Sequence, residues 1–289
     1  MMAAALLLAG CAGSLSLPAD GDSAAQAGAV AARAREGEVI YLGEEHDNPH
    51  HHIHQRQILE ALLAAGARPA LAFEMLDTGQ QGTVDRAVSE RLGPQTLADR
   101  LNWKARGWPD FEMYWPLFEL AERYGLDVVA ADLDPGVARR IAHEGLATVG
   151  AIRSELASLL PADAWREAAI ARTIRGAHCN LLPESRLPSM VEAWHARNVT
   201  MARRITQALQ RHRQVVVIVG SGHQGPGGLS AQLEALRPGT RQLVVEMAEE
   251  SAGGDSGGLS AHADIVWLTP VVERPDPCAP LRPPAQPRR

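Results

Sequence analysis

Residues 41 to 54 read YLGEEHDNPHHHIH, which places five histidines and three acids in fourteen positions. Two other isolated titratable residues stand beside apolar runs, Glu74 in LAFEML and His223 in VVVIVGSGHQG. Neutral imidazole is a metal ligand or a general base, and a neighbouring carboxylate holds its tautomer. Two imidazoles with one or two carboxylates suit Zn, Mn or Fe. The same set activates water without metal, as a base with an orienting acid.

Such chemistry needs elements that bring distant residues together. Six short apolar runs are candidate strands: 38–42, 69–73, 126–131, 214–219, 241–246 and 264–268. They are rich in Val, Ile and Leu without strict alternation, as strands buried on both faces are. Helical spacing fills the intervals, with Ile53, Ile58, Leu59, Leu62 and Leu63 in one and Tyr114, Leu117, Phe118 and Ala121 in another. Alternating strands and helices predict an α/β fold, a mainly parallel sheet with helices on both faces. The interval 134–213 shows no strand pattern and reads as a helical insertion, capping one end of the sheet.

In an open α/β sheet, ligands bind beyond the carboxyl ends of the strands. The first run ends in Gly43-Glu44-Glu45-His46-Asp47, the second in Glu74-Met75-Leu76-Asp77, the third in Asp132-Leu133-Asp134 and the fourth in Gly220-Ser221-Gly222-His223. The strand-end candidates are therefore Glu44, Glu45, His46, Asp47, Glu74, Asp77, Asp132 and His223. Each has a plainer reading. Glu74 can cap a following helix, Asp77 before Thr78-Gly79 is a turn residue, and Asp132 and Asp134 before Pro135 read as a helix cap. The coincidence at several strand ends is what favours one shared site.

Asn48 and Pro49 resemble a helix start. On that helix His50 and His54 lie one turn apart, a pair able to share a metal or face a porphyrin. His51 and His52 point elsewhere and read as exposed polar positions. In NWKARGWPDFEMYWPLF, 102–118, the aromatics with Lys104 and Arg106 form either a flat pocket with cationic handles or a packed core helix. His178 and His195 read as structural.

The whole chain bounds these readings. Its 289 residues carry a formal charge of −6, and arginine is dispersed. Nucleic acid is therefore excluded as a partner. Three widely spaced cysteines form no metal-type pair, and a Cys179–Cys278 bridge stays open as an alternative. The start MMAAALLLAGCAG resembles a bacterial lipoprotein signal, which implies cleavage after residue 10 and lipidation of Cys11. No Lys or Arg precedes Arg33, so the basic leader of such signals is missing. An ordinary signal peptide or a frayed tail is the alternative, and the run is too short to span a bilayer as a helix. Residues 11–36 read as a flexible tether, 37–270 as the folded domain and 271–289 as a Pro/Arg-rich disordered tail.

Taken in order, YLGEEHDNPHHH, PALAFEMLD, GWPDFEMYWPLFELA, LDVVAADLD, MVEAWHARNVTMARRI and VVVIVGSGHQG resemble the ChaN family of bacterial haem-binding lipoproteins, across roughly 37–269. That resemblance extends to the wider superfamily of Tiki and TraB proteins and erythromycin esterases. It implies a three-layer α/β fold with an inserted helical region. Glu44, His46, Glu74 and His223 would occupy the shared site. It also implies haem as cofactor, a tyrosinate ligand, a homodimer pairing two haems, and a role in iron uptake beside an outer-membrane receptor. Tyr114 is the better tyrosine candidate, because Tyr41 sits within a strand; otherwise His50 or His54 must serve. The first functional expectation is thus a lipid-anchored haem- or iron-binding protein of the bacterial cell envelope, which the resemblance places at the outer membrane. The second is a hydrolase, with His46 as base, Glu44 or Glu74 orienting it and His223 at an oxyanion or a divalent metal such as Zn or Mn. The third is a structural lipoprotein that keeps the site unused.

Overall fold

The runs of Val, Ile and Leu become strands because buried backbone must pair its N–H and C=O groups, and a sheet pairs them between segments. A computed structural model describes residues 15–19, 21–35, 37–149, 164–250, 262–276 and 278–281. Its strands are β1 (Leu15–Leu17), β2 (Val39–Glu44), β3 (Ala70–Asp77), β4 (Val128–Asp132), β5 (Val215–Gly220), β6 (Gln242–Glu249) and β7 (Ile265–Thr269). They form one sheet in the order β1-β7-β6-β2-β5-β3-β4. Every pairing is parallel.

The described α-helices are α1 (Ser23–Ala34), α2 (Pro49–Ala64), α3 (Gln81–Glu90), α4 (Pro94–Arg100), α5 (Phe111–Tyr124), α6 (Pro135–Glu144), α7 (Ala164–Ala177), α8 (Leu187–Ala208) and α9 (Leu229–Leu236). Leu42, Phe73 and Ile218 face a core built with α1, α2 and α5, through Ala27, Leu59 and Phe118 among others. Tyr41, Ala72 and Val217 face the other way, against Met201 and Ile205 of α8 and Leu233 of α9. The three-layer α/β expectation holds, and the six expected strands are all present.

Topology explains why distant acids and histidines meet. The chain runs outward from β2 to β3 and β4, then returns to insert β5 between β2 and β3. The carboxyl ends of β2, β5, β3 and β4 are therefore consecutive neighbours along one edge.

Several expectations need correction. The supposed tether contains β1, paired with β7, and α1, whose Ala27, Val30, Ala31 and Ala34 are buried. Alanine is the strongest helix former and Asp22 caps the first turn, accepting from the backbone of Ala24 and Ala25. Residues 1–10 and Cys11 lie outside the described residues. The supposed disordered tail is held through 281 in part: Arg274 pairs with Asp47 and Glu249, and Cys278 is bonded to Cys179. Between β4 and β5 the described residues carry helices and no strand. However, α8 is more than an end cap, because its second half covers a sheet face. On α2, Ile53 is 51% exposed whereas His51 and His52 are buried, the reverse of the expected faces. Among the described residues no helix is long and apolar enough to cross a membrane.

Candidate functional site

Glu44, the last residue of β2, is buried and organises one half of the crevice. Its Oε1 lies 2.7 Å from His46 Nδ1 and accepts from the Tyr114 hydroxyl at 2.6 Å. Its Oε2 accepts from Gln55 Nε2 at 2.5 Å. Burial alone would raise the Glu44 pKa, but the bond to His46 and the charges of His52 and His46 outweigh it and lower the value. Gln55 and Tyr114 come from α2 and α5, the helices that cover this side of β2.

Glu74 from β3 organises the other half. Its Oε1 lies 2.7 Å from Arg197 Nη2 and 3.2 Å from His223 Nε2. Its Oε2 accepts the Gly220 N–H at 2.6 Å and stands 3.9 Å from His46 Nε2. Burial opposes ionisation, yet the charges of His223 and Arg197 hold the carboxyl well below the usual range. A Cβ on Gly220 would lie 2.8 Å from His46 Nε2 and 3.3 Å from Glu74 Oε2, so only glycine admits both side chains there.

His46 bridges the halves. Its side chain is 30% exposed and meets Trp108 edge-on at 5.0 Å. Burial would lower its pKa, but the bond to Glu44 and the charges of Glu74, Glu44 and Glu45 raise it to about 9. At neutral pH the ring is therefore an imidazolium, an acid or an anion partner rather than a ready base. His223 is buried, stacks on Trp194 at 5.9 Å and places Nδ1 3.1 Å from Asn198 Oδ1.

The structure thus brings Glu44, His46, Glu74 and His223 to one crevice. Asp132 joins through Arg197, whose Nε and Nη2 reach both its oxygens at 2.7–3.1 Å. Glu45 is exposed at the rim and accepts from Ser221 Oγ at 3.1 Å. Asp47 and Asp77 do not join. Arg274 holds Asp47. Asp77 pairs with Arg106 and caps the Thr78–Gln80 turn, its plainer reading. Arg106 is so engaged, whereas Lys104 lines a surface hollow with Trp103, Trp108 and Phe111, although Trp103 and Phe111 also pack into the core. His195 pairs with Glu167 at 2.9 Å, a structural role.

Arg197, Gln55 and Asn198 were missed by sequence reasoning. The only trace of the first and last is their spacing from Trp194 on one helix, by three and four residues, which places all three on one face.

The haem-ligand candidates fare differently. Tyr114 is fully buried with its hydroxyl on Glu44, and burial with that charge raises its pKa strongly. It is not placed to become a tyrosinate ligand. Tyr41 is buried and donates to Gln242. Tyr124 lies at the far end of α5 under Arg68. His54 stacks on Trp267 at 4.0 Å and is closed off. His51 accepts from the Glu45 N–H and reaches Thr269 Oγ1, and His52 reaches the His46 carbonyl oxygen. Among the described residues His50, half-buried near the start of α2, shows no hydrogen bond from its ring, and its charge acts on His54. Among the described residues no group of three or more His, Cys, Asp or Glu is disposed to hold a metal ion. The reason is that Glu44 and Glu74 spend their oxygens on Tyr114, Gln55, Arg197 and Gly220. The expected Zn or Mn set is therefore not formed.

A family model described as haem-binding uptake, Tiki superfamily, ChaN matches residues 30–233. Among solved structures, the chain resembles one described as cofacial heme binding to ChaN of Campylobacter jejuni, at 19% identity and a TM-score of 0.64, covering 82% of this chain and 89% of that one. It also resembles a mutant of the erythromycin esterase EreC in its open conformation, at 12% identity and a TM-score of 0.46, covering 75% and 71%. The first likeness shows the fold. No curated protein sequence matches the chain.

Proposed function

Because the chain belongs to the ChaN family of haem-binding uptake domains in the Tiki superfamily, we propose that it binds haem for iron acquisition at the bacterial cell envelope. The observation that carries this reading is the family match, which spans the sheet from before β2 to within α9. In this reading Cys11 carries the lipid that holds the protein at the outer membrane, beside a haem or iron receptor. The Cys179–Cys278 bond supports a compartment outside the cytosol, where disulfides persist. The Campylobacter relative's cofacial haems suggest that two copies of this chain pair their haems.

The donor set decides how haem would be held. Among the described residues no tyrosine offers a free hydroxyl beside Glu44, whereas His50, half-buried near the start of α2, shows no hydrogen bond from its ring. Haem would supply an iron centre able to bind such a nitrogen. His50 would hold the iron, and Trp108 supplies an aromatic surface at the crevice mouth. Hemin titrated into the purified protein should give a saturable Soret shift that His50→Ala weakens at least about tenfold. No saturable shift in the wild type would end this reading.

A second reading rests on the Glu44–His46–Glu74 arrangement, which orients one imidazole between two carboxylates. It is a hydrolase in which His46 acts on an ester or amide. The raised His46 pKa means that a base role needs pH above about 9, whereas an acid role operates at neutrality. Ester hydrolysis that vanishes in His46→Ala would support it, and turnover that survives would remove it.

A further inference from the structure

The opposite edge of the sheet carries the reverse chemistry. Arg35 precedes β2, Arg68 precedes β3, Arg211, His212 and Arg213 precede β5, and Arg241 precedes β6. These four strands are neighbours, so five guanidiniums and an imidazole line one cavity of about 580 Å³. No acid lines it. All five arginines are exposed, in a chain whose formal net charge is −6.

Local structure accounts for part of this charge. Arg68 donates to the carbonyls of Leu63 and Ala67 near the end of α2. Arg211 and His212 share Asp127, and Arg241 shares Glu38 with Arg237. Helix carboxyl ends favour nearby cations, and α1, α2 and α8 all end here. That does not explain Arg213 and Arg241, which lead into strands. Among the described residues Arg35 and Arg213 make no ion pair. Guanidinium forks match phosphate oxygens in pairs, and several around one hollow suit a phosphate group better than isolated surface charges do.

Direction adds the second argument. β1 runs parallel to its neighbours, so Leu15 enters the sheet at the same edge as the arginines. Cys11 precedes Leu15 by four residues. Four extended residues reach at most about 14 Å. A lipid on Cys11 would hold this edge close to a bilayer, with the acid–imidazole crevice turned away.

We propose that the arginine cavity binds the phosphate of anionic phospholipid headgroups and so sets the arginine edge against the membrane. The orientation rests on the lipid anchor proposed above; the phosphate chemistry does not. The test uses the full chain with Cys11→Ser, which carries no lipid, and vesicles of phosphatidylcholine with or without phosphatidylglycerol. The unlipidated chain should sediment with the phosphatidylglycerol vesicles at least about tenfold more tightly, and added salt should release it. Arg35→Gln with Arg213→Gln should bring binding down to the phosphatidylcholine level. Arg139→Gln with Arg140→Gln, the same charge change on α6, should leave it unaltered. Because all four positions are exposed, circular dichroism should show folded protein throughout.

Equal loss in both double variants would reduce the effect to net charge and overturn the proposal, as would no preference for phosphatidylglycerol. Inorganic phosphate that protects the wild type but not the Arg35/Arg213 variant against heating, without any vesicle binding, would assign the free ion and overturn the membrane source. A chain found unlipidated in cells that still binds the vesicles through these arginines would remove the anchor while supporting the cavity's assignment.

Discussion

Arg197 Nη2 stands 2.7 Å from Glu74 Oε1, so a helix residue is clamped to a strand residue more than a hundred positions earlier. The same guanidinium grips Asp132 at the end of the neighbouring strand. Two buried carboxylates thus share one cation, whose own pKa they raise against the opposing effect of burial. Removing one partner of a buried set leaves uncompensated charge. Arg197→Ala should lower the unfolding free energy by about 3–5 kcal/mol in urea titrations. Arg197→Lys should recover part of it, because lysine keeps the charge without the fork.

Tyr114→Phe separates structure from ligation. It deletes the hydroxyl that Glu44 accepts inside the core. The loss should be about 1–3 kcal/mol, because a buried carboxylate loses a donor. Hemin affinity should be unchanged. A collapse of hemin binding in folded Tyr114→Phe protein would return the tyrosine to the ligand role.

The His46 ring gives stability a definite pH window. Its folded pKa, about 9, lies above its ordinary 6.5. A raised imidazole stabilises the fold fully below 6.5 and loses that contribution as pH rises through about 9. Urea midpoints should fall across that interval, by roughly 1–3 kcal/mol in free energy. His46→Asn should flatten the fall.

Glu246 on β6 titrates in an earlier window and with opposite cause. Burial, then the charge of Glu45, raises its pKa from 4.5 to about 7. A carboxyl with a raised folded pKa penalises the fold increasingly as pH climbs from 4.5, and fully above 7. Glu246→Gln should therefore match the wild type near pH 4.5 and exceed it above 7, by roughly 1–3 kcal/mol. Thermal melts across pH read this directly.

The Cys179–Cys278 bond closes a loop with a sequence separation of 99. Cys179→Ser should cost about 2–4 kcal/mol by releasing the unfolded chain. In the same variant Arg274 should loosen from Asp47 and Glu249, seen as faster proteolysis after residue 270.

Strands 39–44, 70–77, 128–132, 215–220, 242–249 and 265–269 were legible because buried parallel strands concentrate Val, Ile and Leu. Their chemistry was legible too, because Glu44, Glu74, Asp132 and His223 interrupt or follow such runs. Leu15–Leu17 was not, since three residues carry no period. Helix α1 was obscured by its small residues, whose composition matches that of a linker even though alanine favours helix. Arg197 and Gln55 could not be assigned because nothing near them in the chain indicates which acid they will face. The histidine run misled in a different way. His51 and His52 are inward because both His51 nitrogens and His52 Nε2 find partners just past β2 or on β7, while His52 Nδ1 lies 3.6 Å from Glu44 Oε2, an option that polarity alone does not reveal.

The position of β5 between β2 and β3 also governs when the molecule can work. During synthesis, β2, β3 and β4 emerge before residues 215–220, and in the finished sheet β2 and β3 stand two strand spacings apart, about 10 Å, with β5 between them. Before β5 is in place, Glu74 lacks the Gly220 N–H and His223, and His46 lacks its floor. A nascent chain ending at Arg213 should hold no organised crevice, however well its first helices have formed. Competence would arrive late on the ribosome, with the insertion of one central strand.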